Sequence, residues 1–143
     1  MNKHQIIRLA AAVALSSAAF GACAQVAVVV NTKSAMASMT ADQVSGIFLG
    51  KSNTLPSGGT AMPIDLPDSA ATRELFYTKV TGKSTAQVKA AWSRLVFSGK
   101  ATPPKELGSS ADVKRFVAAN PDAIGYIERS AVDSSVKVVF SAD

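Results

Sequence analysis

The chain has 143 residues, with 15 Lys and Arg against 10 Asp and Glu and a formal net charge of +5. That length fits one domain, and the basic excess is mild and spread along the chain, so it lacks the clustered basic footprint of a nucleic-acid binder. The sole Cys, Cys23, and the sole His, His4, both fall near the N-terminus.

Lys3, His4 and Arg8 form a basic start, Leu9 to Phe20 carries no charge, and Ala22-Cys23-Ala24 gives a small-x-small pattern. This order reads as a secretory signal over residues 1–24, with a periplasmic mature domain over residues 25–143. The apolar stretch is about 12 residues, short of the ~20 needed to span a bilayer. Phe20-Gly21-Ala22-Cys23 resembles a lipoprotein site, but Phe20 stands where Leu, Val or Ile is usual, so cleavage after Ala24 is favoured over lipidation at Cys23. Cleavage there removes Lys3 and Arg8, leaving 13 basic residues against 10 acidic, a net charge of +3. It also leaves neither Cys nor His, which removes thiol nucleophiles, His-dependent triads and bases, and His/Cys metal sites. The expectation is a protein that is not an enzyme and holds no metal or cofactor.

Gln25 to Asn31 (QVAVVVN) is a continuous β-branched run, as expected of a strand buried on both faces in a parallel sheet. Thr40 and Gln43 make a capping box, with Met39 and Val44 as a hydrophobic staple. Val44, Ile47 and Phe48 form the stripe of that first helix, and Gly50 ends it. Lys51 to Gly59 is a loop by composition. Ala61 to Leu66 is a short strand that Pro63 assigns to an edge or a strand end. Asp68 or Ser69 caps a second helix with Leu75, Phe76 and Val80 inward and Gly82 as its stop. Ser84 and Gln87 form another capping box, and Val88, Ala91, Trp92, Leu95 and Val96 give the clearest helical period in the chain. Ala101 to Gly108 is an extended loop around Pro103-Pro104. Ser109 or Ser110 caps a fourth helix with Val113, Phe116 and Val117 inward, and Ala123 to Ile127 and Val136 to Phe140 are strands. This order implies an α/β sandwich with a partly parallel sheet flanked by helices.

In open α/β sheets, ligands bind beyond the C-terminal strand ends, where helices begin. Leu66-Pro67-Asp68 leads into such a helix start. The N–H groups of Ala70, Ala71 and Thr72, the hydroxyls of Ser69 and Thr72, and the charge of Arg73 compose an anion cradle there. The bland reading is an ordinary cap at Ser69 with Arg73 in solvent. Lys51, Arg94 and Lys100 read as solvated charge, and Trp92 and Tyr126 as packing residues. Asp65, Asp68 and Glu74 lie close in sequence without metal-type spacing.

Met39 to Lys51, MTADQVSGIFLGK, is similar to the Leu-x-x-x-Gln-x-x-x-Ile-Phe-x-Gly segment of phosphate ABC transporter substrate-binding proteins. Asn120 to Ile127, NPDAIGYI, resembles their x-Pro-Gly-Ala-Ile-Gly-Tyr-Val segment. Ser69 to Phe76 falls where that family has a Ser-Gly-Thr phosphate loop opening a helix. The resemblance implies one lobe of a two-lobed, type II periplasmic-binding-protein-like clamshell, with phosphate or a related oxyanion as ligand. It further implies a membrane transporter, or a second lobe or a second copy, as partner. Aligned on Phe76, Thr72 matches the loop threonine, Ala70 and Ala71 replace the Ser-Gly pair, and Leu66 stands where the family has a phosphate-binding arginine. Arg73 is the substitute cation, from the opposite side. The alternative reading is an accessory interaction module of the cell envelope that kept the lobe and lost the ligand.

Overall fold

The computed structural model describes residues 25–142; residues 1–24, read from the sequence as a secretory signal, and with them Cys23, lie outside the described residues. Strands β1 (Val26–Asn31), β2 (Met62–Asp65), β3 (Lys105–Glu106), β4 (Ala123–Glu128) and β5 (Val136–Ala142) form one sheet in the order β3-β2-β4-β1-β5. β2 runs parallel to β3 and β4, whereas β1 is antiparallel to both β4 and β5. The sheet is therefore mixed, parallel on one side and antiparallel on the other.

Helices α1 (Ala41–Phe48), α2 (Ala71–Phe76), α3 (Thr85–Phe97) and α4 (Ser110–Ala119) connect the strands. The two faces of β4 show how they are layered. Gly125 faces α4, close to Val113 and Val117. The next residue, Tyr126, points to the other side, where its ring stacks on Phe76 of α2 at 4.0 Å and meets Phe48 of α1 edge-on at 5.8 Å. Period-two alternation along one strand thus serves two helical layers.

β1 is buried along its whole length, as its β-branched run implies. Its pairing is antiparallel rather than parallel, so its burial comes from a central place in the sheet with helices over both faces. Pro63 fits beside two neighbours because β3 reaches only Ile64 and Asp65, leaving no partner opposite the missing N–H. The stretch read as a loop over 101–108 contains β3, too short to give a periodic signal.

Side-chain bonds lock the helix ends. Both capping boxes form, Thr40 with Gln43 and Ser84 with Gln87. The buried Asn31 amide donates to the carbonyls of Val117 and Ala118, closing the end of α4. The Trp92 indole donates to Phe48 O at 2.9 Å, fixing α3 against the end of α1. Gly50, just past α1, has φ +77°, and a Cβ there would stand 2.6 Å from Leu95 Cδ1. Of the α3 stripe, Val88 and Trp92 are buried, but Val96 is half exposed and Phe97 is 96% exposed. Along the outer edge of β5, the 32–39 segment adds two bonds, Met39 N–H to Val139 O at 2.9 Å and Lys137 Nζ to Ser34 O at 2.6 Å. No helix among the described residues is long and apolar enough to cross a membrane.

Gly125→Ala tests the contact between sheet and α4, because the added Cβ would lie 2.6 Å from Val113 Cγ1. The expected outcome is a loss of about 1–3 kcal/mol in unfolding free energy, read as a lower urea midpoint with an unchanged slope.

Candidate functional site

β2 ends at Asp65, whose position opposite to Ile64 turns its carboxylate into the α1–α2 layer. The carboxylate is buried. It accepts from Tyr77 Oη at 2.5 Å, from Tyr126 Oη and from the Leu66 N–H at 2.8 Å. Arg73 Nη1 lies 3.6 Å away and donates to Leu66 O at 2.8 Å. A lone buried carboxylate is strongly disfavoured, and this group persists because charge-assisted bonds from three elements replace its water. Burial, reinforced by the Asp65 charge and hydrogen bond, pushes both tyrosine pKa values far above the usual range. Burial alone would lower the pKa of Arg73; Asp65, the two tyrosines and Asp68 together outweigh it, so the guanidinium stays charged.

The turn Pro67–Ala70 follows. Ala70, in an extended conformation, is the N-cap of α2 and makes no side-chain cap bond. The expectation of a cap at Asp68 or Ser69 is thereby corrected: the Ala70 N–H closes a turn onto Pro67 O at 2.9 Å, and the helix starts one residue later. Ser69 is exposed. The N–H groups of Arg73 and Glu74 donate back to Ala70 O, whereas those of Ala71 and Thr72 have no intrahelical acceptor. Thr72 is buried, and its hydroxyl donates to Glu128 Oε1 at 3.1 Å. α2 runs only to Phe76 and continues as a π-helical turn, Tyr77–Thr81, that ends at Gly82 with φ +71°. That widened turn carries Tyr77 inward to Asp65.

Arg73 is buried rather than solvated, lying 5.5 Å over the Tyr77 ring. Its Nη2 is 3.3 Å from Asp68 Oδ1, and Lys89 Nζ bonds the other Asp68 oxygen at 3.0 Å. The hydrogen bond from Lys89, then the Arg73 charge, hold the Asp68 carboxyl below its usual pKa. The fold thus brings Ala70, Ala71, Thr72 and Arg73 to one strand end, but two carboxylates already face the one buried cation there. The Asp65–Tyr77–Tyr126 cluster is not legible in the sequence, since its members are 12 and 61 residues apart; an acid closing an apolar strand is the one local sign. Among the described residues no group of three or more His, Cys, Asp or Glu could hold a metal.

No protein-family profile matches the chain, and no curated protein sequence does. Solved structures do share the fold. A protein assigned as a phosphate ABC transporter substrate-binding protein from Clostridium perfringens, solved with bound phosphate, superposes with a TM-score of 0.66 at 24% identity, over 81% of this chain and 45% of that one. An ABC-type phosphate transport receptor from Vibrio cholerae gives 0.64 at 22% identity, over 81% of this chain and 46% of that one. PstS from Borrelia burgdorferi gives 0.60 at 12% identity, over 81% and 47%. The resemblance carried by the two flanking motifs is therefore present in three dimensions, as the mixed α/β fold of substrate-binding proteins. The chain spans less than half the length of these structures.

Two outcomes check the buried cluster. Asp65→Ala leaves Arg73 without its inner counter-charge and is expected to lower stability by about 3–5 kcal/mol in urea unfolding. Tyr77 and Tyr126 have folded pKa values raised above 10.0, so above that pH the unfolded chain releases phenolic protons that the fold retains. Stability is then fully present below pH 10.0 and declines as pH rises, by up to about 1.4 kcal/mol per pH unit for each tyrosine. Tyr77→Phe is expected to remove one tyrosine's share of that slope, measured as unfolding free energy against pH.

Proposed function

We propose that the protein is an exported, substrate-binding-protein-like domain of the cell envelope. On this reading it takes phosphate or a related oxyanion at the start of α2, in the service of a transporter or of a second lobe. The observation that carries it is the location of the Ala71 and Thr72 N–H groups, beyond the C-terminal end of a parallel strand, in a fold shared with a phosphate-bound structure. Ser69 offers a hydroxyl beside them, that of Thr72 becomes a donor once it leaves Glu128, Ala70 and Ala71 allow close approach, and Arg73 sets a positive field. The signal-like first residues support a periplasmic site of action.

Magnitudes limit the affinity. A helix start contributes about 0.3–1 kcal/mol to an anion, up to ~2 when partly buried, whereas a millimolar Kd already needs about 4 kcal/mol. Asp68 also competes, since its carboxylate sits on the Arg73 fork that an incoming anion would use. A single open lobe therefore binds weakly, and tight capture needs a covering surface from a second protein.

A second reading is supported by that same carboxylate together with Ala70 and Ala71: an interaction module whose ligand turn is satisfied internally. One experiment separates the two. With phosphate at ten times Kd, linkage gives about 1.4 kcal/mol of stabilisation, or a Tm rise of about 4 °C or more for a domain of this size. Asp68→Asn is expected to enlarge the rise, and Thr72→Val to reduce it, relative to chloride at equal ionic strength. No rise in either the native protein or the Asp68→Asn variant would leave the interaction module standing.

A further inference from the structure

At the opposite end of β2 from Asp65 lies a solvent-open groove of about 870 Å³. Met62 and Pro63 at the start of β2 and Trp92 of α3 form its apolar floor. Three lysines border it, from three separate segments: Lys51 after α1, Lys100 after α3 and Lys105 on β3. No carboxylate lines it. All three lysines are exposed, and among the described residues none is in an ion pair; the Lys105 ammonium lies over the Phe116 ring at 5.4 Å.

We infer that this groove docks an extended acidic peptide segment of a partner protein, one that alternates carboxylates with apolar side chains. Charge complementarity argues for the acid: three unneutralised cations around a site without a carboxylate raise the local concentration of anions. Their spread over three walls suits several carboxylates along a strand better than one point charge. The exposed Met62 supplies the apolar contact, backed by the largely buried Trp92 ring at the groove's base. Ile47 and Ala61 add to the apolar lining. The inference does not depend on the anion reading of the turn before α2, which lies at the other end of the strand.

Trp92 is the sole tryptophan and lines the groove, so its fluorescence reports occupancy directly. Titration of the purified protein with a blocked peptide of alternating glutamate and leucine is expected to give a saturable change in emission. The affinity should weaken as salt rises. Lys51→Glu combined with Lys100→Glu should lower it by about tenfold or more, with an unchanged circular dichroism spectrum and an unchanged thermal response to phosphate. Met62→Ser should weaken it without altering the salt dependence. Equal binding of the glutamine-for-glutamate peptide, or equal binding by the double lysine variant, would overturn the inference. So would lysine-dependent sedimentation with phosphatidylglycerol vesicles, or lysine-dependent self-association, in a protein that ignores the peptide.

Discussion

A single buried carboxylate organises the molecule. Asp65 stands at the end of β2, and its oxygens take bonds from Tyr77 beyond α2, from Tyr126 on β4 and from the backbone of Leu66, with the Arg73 guanidinium alongside. These groups come from separate elements, so satisfying one charge fixes their relative positions. The aromatic rings that deliver the hydroxyls also pack against one another: Phe76 lies flat on Tyr126, and Phe48 meets Phe76 edge-on at 4.8 Å. Apolar burial and a polar network thus meet at one point, where the buried carboxylate gives the surrounding donors a common target.

The same charge shapes what the strand end can offer a ligand. Arg73 cannot swing outward without leaving Asp65, Leu66 O and the Tyr77 face, and its outer edge is met by Asp68. Backbone donors at Ala71 and Thr72 stand beside a cation already balanced by two acids. On the anion-binding reading, an incoming anion would have to exchange with the Asp68 side chain, which is more than half exposed.

Much of this architecture is written locally. Capping boxes at Thr40 and Ser84, the α3 stripe through Val88 and Trp92, and the β-branched run of β1 each follow from near-neighbour rules, and each is found. Strand direction was not legible in β1, because central burial and parallel pairing leave the same composition. The two residues of β3 are too few to show a period. At the candidate site, residue types 69 to 73 were readable but the direction of Arg73 was not: whether an arginine faces solvent or core depends on an acid eight residues earlier and a tyrosine four residues later. The N-cap of α2 stands at Ala70, and the helix starts at Ala71, because a turn onto Pro67 took the position that a side-chain cap would have filled.

The two borders of the sheet are unequal. On one side β3 offers only two residues, and Pro103-Pro104 run into it. On the other, β5 is seven residues long and would template the growth of foreign strands, a route to fibrillar association. There the chain supplies its own guard: the strap from Ser34 to Met39 occupies one backbone acceptor, Val139 O, and the Lys137 ammonium along that margin. Loss of that segment would bare a seven-residue edge, so the chain's resistance to fibrillar growth there rests on residues that belong to neither proposed surface.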